Sequence, residues 1–150
     1  MDARAVSTSS IIASAFRDEA PFWEALDRGA FELPTCGGCG VWNWPPTPRC
    51  PHCGSFAHDW VPTELAGTVY SWTRIWTNFS PERSAEGPFV VLLVELPHAG
   101  HSRVIGTLEG SEDALAIGSP VRGRIKSRSP EARGMPSVVW SIVGRAGGEE

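Results

Sequence analysis

Four cysteines stand in two matched pairs, Cys36-Gly-Gly-Cys39-Gly and Cys50-Pro-His-Cys53-Gly, with ten residues between the pairs. A Cys-x-x-Cys turn aims two sulfurs at one point, and two such turns at this spacing supply the four thiolates of a closed tetrahedral zinc ribbon. The glycine after each second cysteine suits a tight knuckle, because it has no Cβ to clash and lets backbone N–H groups turn toward the sulfurs. The segment carries little apolar core of its own, so metal binding would serve as its folding free energy. A structural Zn²⁺ held by Cys36, Cys39, Cys50 and Cys53 is therefore expected.

Other chemistries fit less well. Disulfides need an oxidising compartment, and the N-terminus has only the short apolar patch Ile11-Ile12 in place of a secretory leader. A redox dithiol explains one pair, not two. A catalytic zinc keeps an open position and usually takes a histidine or carboxylate, whereas four thiolates close the shell. His52, inside the second knuckle, could substitute for one of the sulfurs but is read as a solvated loop residue.

No catalytic residue is assigned. Gly-x-Ser-x-Gly, His-Glu-x-x-His, phosphate-loop and dinucleotide fingerprints are all missing from the sequence. His98 and His101 fall in a turn and read as solvated. His58 stands beside Asp59 and Trp60 with no nucleophile to serve. Arg122, Arg124, Lys126, Arg128 and Arg133 lie close together with only Glu131 opposing them. They form either a solvated strand face or a contact for phosphate or a partner.

The elements that carry these residues can be read from pattern. Residues 1–14 form a Ser- and Ala-rich arm read as disordered. Within 15–30, Phe16–Arg28 reads as a short helix with Pro21 in its first turn and Gly29 at its stop; Phe22, Leu26 and Trp23 form its sticky side. The ribbon occupies 31–65. Trp42 and Trp44, in its proline-rich inter-knuckle loop, either cover the ribbon's sheet or dock on another protein. From 66 to 144 the pattern is strands. Residues 67–76 alternate, placing Tyr70, Trp72, Arg74 and Trp76 on one face and Val69, Ser71, Thr73 and Ile75 on the other. Phe89–Leu96 is apolar on both faces and reads as a central strand. A turn joins it to Arg103–Leu108, and Pro120–Ile125 and Ser137–Val143 complete five strands. Residues 145–150 are a loose tail. The count and spacing fit a five-stranded Greek-key barrel of the OB type; an open sheet or small sandwich competes.

At 150 residues the chain holds one domain and a small appendage, and 16 Gly and 13 Pro favour turns and strands over helices. The net charge of −4 argues against general affinity for nucleic-acid phosphates. No apolar run reaches membrane-spanning length, and the chain reads as a cytoplasmic protein with no membrane partner.

One resemblance spans about Ala20 to Val143. Phe22-Trp-Glu-Ala-Leu26, the two knuckles, Pro45-Pro46, Gly67-x-Val-Tyr-Ser71, Pro88-Phe-Val-Val91 and Ile117-Gly-x-Pro-Val121 occur in an order that resembles the "domain of unknown function 35" family. Trp42 and Trp44 stand where simpler residues are common in that family. The resemblance implies a mainly β chain: a short helix, a rubredoxin-like zinc ribbon and an OB-fold. It also implies an accessory subunit of a thiolase-like (lipid-transfer-type) partner, in a heterotetramer that shares an acyl-CoA ligand and cleaves steroid side chains as a retro-aldolase. A hot-dog-fold enoyl-CoA hydratase or an acyltransferase is the alternative partner enzyme. On this reading Arg74, Arg122 and Arg124 contact CoA, and Trp23, Trp42, Trp44, Trp72 and Trp76 face the partner. A different class, a binder of single-stranded nucleic acid, is suggested by the Tyr70/Trp72/Arg74/Trp76 strand.

Overall fold

The computed structural model describes residues 18–77, 79, 87–129 and 134–144. The expected arm, the tail, Arg133 and Glu131 lie outside them. The described residues fall into two compact units: those up to Thr63 with those of Ser127–Pro136, and those of Glu64–Lys126 with those from Ser137 on.

The first unit opens with helix α1 (Ala20–Asp27), which has proline at its start. Asp18 and Glu19 precede it in a turn, so the described helix is shorter than the pattern expected. It ends as the sequence suggests: Gly29 has φ +76°, and the N–H of Ala30 donates to the Ala25 carbonyl at 2.9 Å, closing the last turn. Phe22, Ala25 and Leu26 are buried. Phe22 lies at ring-centroid distances of 4.6 Å from Trp44, 5.2 Å from Trp23 and 6.0 Å from Phe31. An eight-residue helix is not stable alone in water, and this aromatic cluster is what holds it. Strands β1 (Glu32–Cys36) and β2 (His58–Pro62) pair antiparallel, with Cys36 opposite His58. Arg128 clasps Asp27 at the end of α1 with two parallel bonds, its Nε donating to Oδ1 at 2.6 Å.

The second unit is a closed barrel of β3 (Ala66–Ile75), β4 (Phe89–Leu96), β5 (Ser102–Leu108), β6 (Pro120–Lys126) and β7 (Ser137–Ile142). The strand order is β3-β4-β5-β7-β6, and all neighbours are antiparallel except β5 and β7. This is the five-stranded OB-like barrel, and the open sheet and sandwich are excluded. Val90, Leu92, Val94 and Leu96 alternate inward on β4, while Phe89, Val91 and Leu93 are half-buried on its outer side. Trp140 is fully buried. A Cβ on Gly123 would lie 2.8 Å from its six-membered ring, and one on Gly106 would lie 2.6 Å from its Nε1. Both glycines are therefore spaces reserved for one indole.

The alternation read along β3 needs correction. A bulge at Tyr70 shifts the register: Val69 pairs with Val94, but Ser71 pairs with Leu93 and Trp72 with Leu92. Directly paired residues share a face. Trp72 and Arg74 therefore lie on the side of Val69, Leu92 and Val90, and Tyr70 does not share it. Tyr70 instead lies beneath the Arg103 guanidinium, 3.5 Å from its ring centroid. One extra residue reverses every later side chain.

Candidate metal centre

Two knuckles of the same geometry build the centre. The N–H of Gly40 donates to the Cys36 carbonyl at 2.8 Å, and that of Gly54 to the Cys50 carbonyl at 2.9 Å. Both glycines adopt left-handed backbone, with φ +75° and +80°, the conformation that makes glycine the residue of choice after each second cysteine. The first cysteine of each pair is buried and the second exposed. A Cβ on Gly38 would lie 2.9 Å from that of Ser55 and 3.3 Å from the Cys53 sulfur, so its absence lets the knuckles close on each other.

The four sulfurs lie within 4.8 Å of one another. Across the knuckles, Cys36 and Cys53 sulfurs are 3.5 Å apart, and Cys39 and Cys50 sulfurs 3.8 Å apart. A zinc ion with bonds of about 2.3 Å to four tetrahedral thiolates requires sulfur–sulfur edges of about 3.8 Å. The donor set thus fits Zn²⁺, and these spacings are far beyond a disulfide bond. Backbone donors favour a thiolate at Cys36: the N–H of Cys39 chiefly, and that of Gly38 at 3.3 Å, bring its pKa down to about 6 against the cost of burial. Cys39 receives the Val41 N–H, which lowers its pKa, yet burial and the three neighbouring sulfurs push it up to about 12. Zinc binding must therefore displace protons, and it weakens in acid. His52 is exposed and outside the donor set.

The remaining candidate residues are not among the metal-binding sulfurs. Arg74 pairs with Glu112, Arg124 with Glu109, and Arg122 more loosely with Glu64 at 3.6 Å. Three members of the apparent cationic cluster, Arg122, Arg124 and Arg128, are thus answered by carboxylates distant in sequence. Glu109 is held below the usual carboxylate range by its bonds to Arg124, and Asp27 by its bond to Arg128. Trp23, Trp42 and Trp44 are half-buried; Trp72 and Trp76 are 41% and 72% exposed. The histidines read as solvated are bonded: His98 to the Glu64 carbonyl at 3.0 Å and His101 to Glu95 at 3.2 Å. Sequence reasoning missed the exposed Phe56, Phe79, Ile105 and Ile117 and the buried Asn43, for which no periodic pattern exists. Among the described residues no helix is long and apolar enough to cross a membrane.

Comparison with known proteins agrees with this geometry. Residues 23–59 match the family described as "ChsH2, rubredoxin-like zinc ribbon domain", and residues 60–126 match "ChsH2, C-terminal OB-fold domain". A chain in a structure described as "Ltp2-ChsH2(DUF35) aldolase" superimposes with a TM-score of 0.73 at 32% identity, covering 86% of this chain and 97% of that one. A DUF35-family protein of Sulfolobus solfataricus shares the fold, with a TM-score of 0.56 at 17% identity over 90% of this chain and 93% of its own. A "Probable enoyl-CoA hydratase alpha subunit" of Thermomonospora curvata is 39% identical over 106 residues, which are 70% of this chain. The chain spans only 32% of that relative's length. With a four-cysteine ribbon, a five-stranded barrel and these matches in register, the chain belongs to the DUF35 family, in its ChsH2 form of a rubredoxin-like zinc ribbon followed by an OB-fold.

Proposed function

We propose that this chain is the accessory subunit of a thiolase-like acyl-CoA enzyme, a retro-aldolase acting on steroid side chains. The observation that carries the reading is the 32% identity to the ChsH2 chain of an Ltp2-ChsH2 aldolase over 97% of that chain. A retro-aldol cleavage needs a base for the β-hydroxyl proton and a site that stabilises the enolate left when the carbon–carbon bond breaks. Arg74, Arg122 and Arg124 are engaged with carboxylates, and among the described residues no such constellation stands out, so both functions are assigned to the partner.

This chain would help enclose the acyl-CoA. Arg122, exposed and loosely paired, is the best-placed contact for a CoA phosphate; Arg74 and Arg124 would first have to release Glu112 and Glu109. Trp72 and Trp76, 41% and 72% exposed, form the preferred partner surface; the exposed Ile105, paired with Leu93, lies on the opposite face of the sheet from Trp72. Trp23 and Trp44 are committed to Phe22, so these two contribute less, while Trp42, half-buried, remains a candidate contact. The pair is assigned as a cytoplasmic heterotetramer.

A hydratase partner is the second reading, favoured by the name of the Thermomonospora curvata relative. Co-expression with a thiolase-like protein, followed by gel filtration and assay on a steroid β-hydroxyacyl-CoA, separates the readings. Co-elution with cleavage to a ketone and a shortened acyl-CoA is expected. Failure to co-elute, or salt-sensitive binding of an oligonucleotide, would remove the proposal.

A further inference from the structure

We infer that Asn43 is the positioning residue of the metal centre, holding the second knuckle in register with the first in the folded ribbon. Asn43 lies in the inter-knuckle loop and is 6% exposed. Its backbone N–H donates to the Pro34 carbonyl of β1 at 2.9 Å. Its side-chain amide is nearly saturated. Nδ2 donates to the Thr47 carbonyl at 3.4 Å and contacts His58 Nε2, on β2, at 3.2 Å. Oδ1 lies 3.2 Å from the Thr47 hydroxyl, which is also 2.9 Å from the Arg49 carbonyl.

The polarity of this network follows from its members. A carbonyl only accepts, so the group facing Thr47 O is the NH₂ of Asn43. Its second hydrogen then points to His58 Nε2, which accepts. The ring proton sits on Nδ1 and is donated to the Phe56 carbonyl at 3.1 Å. From Thr47 the path reaches Arg49, next to Cys50, and Arg49 Nε donates to the Gly54 carbonyl at 3.0 Å, beyond Cys53. Asn43 therefore links to β1 through its backbone N–H, and its side-chain amide links β2 to the loop that delivers Cys50 and Cys53. Partners bonded directly to ligands typically set metal affinity by about 10–100-fold, and Asn43 acts on the backbone that flanks the ligands.

The test uses the full chain loaded with zinc. Asn43→Ala removes the whole side-chain network. Asn43→Asp keeps the shape but removes both N–H donors and sets an acceptor against the Thr47 carbonyl. Thr35→Val removes another ribbon bond, Thr35 Oγ1 to the Asp59 carbonyl at 3.4 Å, outside this path. Zinc affinity is read by competition with a chromogenic chelator, and site geometry by the absorption of the cobalt-substituted protein. We expect both Asn43 variants to bind zinc about 10–100-fold more weakly, with an unchanged four-thiolate cobalt spectrum at saturation and Thr35→Val at parental affinity. The inference is overturned if either soluble Asn43 variant keeps parental affinity, or if Thr35→Val loses as much. It is also overturned if neither Asn43 variant reaches the four-thiolate spectrum with excess metal, since Asn43 would then be needed for folding and not for placing ligands.

Discussion

The ribbon unit and the barrel are stabilised in opposite ways. The barrel closes a sheet on an apolar interior of Val69, Val90, Leu92, Val94, Leu96, Val104, Val121 and Trp140, each at most 2% exposed. The ribbon has two short strands, one two-turn helix and an aromatic cluster, and it buries two of its four cysteines. A small unit with so thin a core needs a staple, and the knuckles provide the place for one. The contrast teaches that a metal can be structurally decisive in one half of a chain and irrelevant to the other.

The largest effect should come from removing the staple. Chelation, or Cys50→Ser, forfeits a metal contribution of about 10–16 kcal/mol in comparable zinc peptides. Calorimetry of the full chain should lose the ribbon's transition while the barrel's stays within a few degrees. A single transition that moves as a whole would blur the contrast. Next in size are changes inside the barrel. Trp140→Ala should cost about 3–5 kcal/mol, and Gly106→Val should be comparably harmful, because even its Cβ would lie 2.5 Å from the Val138 carbonyl. Denaturant unfolding should show both losses in the barrel, with zinc affinity unchanged.

The smallest effect belongs to the ion pair of Asp27 and Arg128. The pair is partly exposed, so Asp27→Asn should cost no more than about 1 kcal/mol. Its bond to Arg128 depresses the folded-state pKa of Asp27. The pair's contribution is therefore complete above the unfolded value of about 3.9 and is lost as pH falls through the folded one. The difference between parent and Asp27→Asn, measured by denaturant midpoint, should shrink below about pH 4. A gap that widens in acid would contradict the assignment.

Much of this was legible in the sequence because its causes are local. Two Cys-x-x-Cys-Gly turns carry their own geometry, and the run Phe89–Leu96, apolar on both faces, announces a strand, although only its inner side is fully buried. What escaped has non-local causes. The β3 faces could not be read because the bulge at Tyr70 arises from pairing with β4, not from β3's own residues. The cations looked unopposed because Glu64, Glu109 and Asp27 lie elsewhere in the chain. Arg128 meets a carboxylate 101 residues away. Asn43 is one polar residue among prolines, and only its burial reveals its work.

The seven tryptophans divide between the units: Trp23, Trp42, Trp44 and Trp60 in the ribbon, Trp72, Trp76 and Trp140 in the barrel. Indole N–H signals in a ¹H–¹⁵N spectrum, recorded before and after zinc is stripped from the full chain, test the division directly. The four ribbon signals should collapse toward disordered positions while the Trp140 signal holds its place. Four ribbon signals that stay put without metal, or a Trp140 signal that collapses with them, would contradict it.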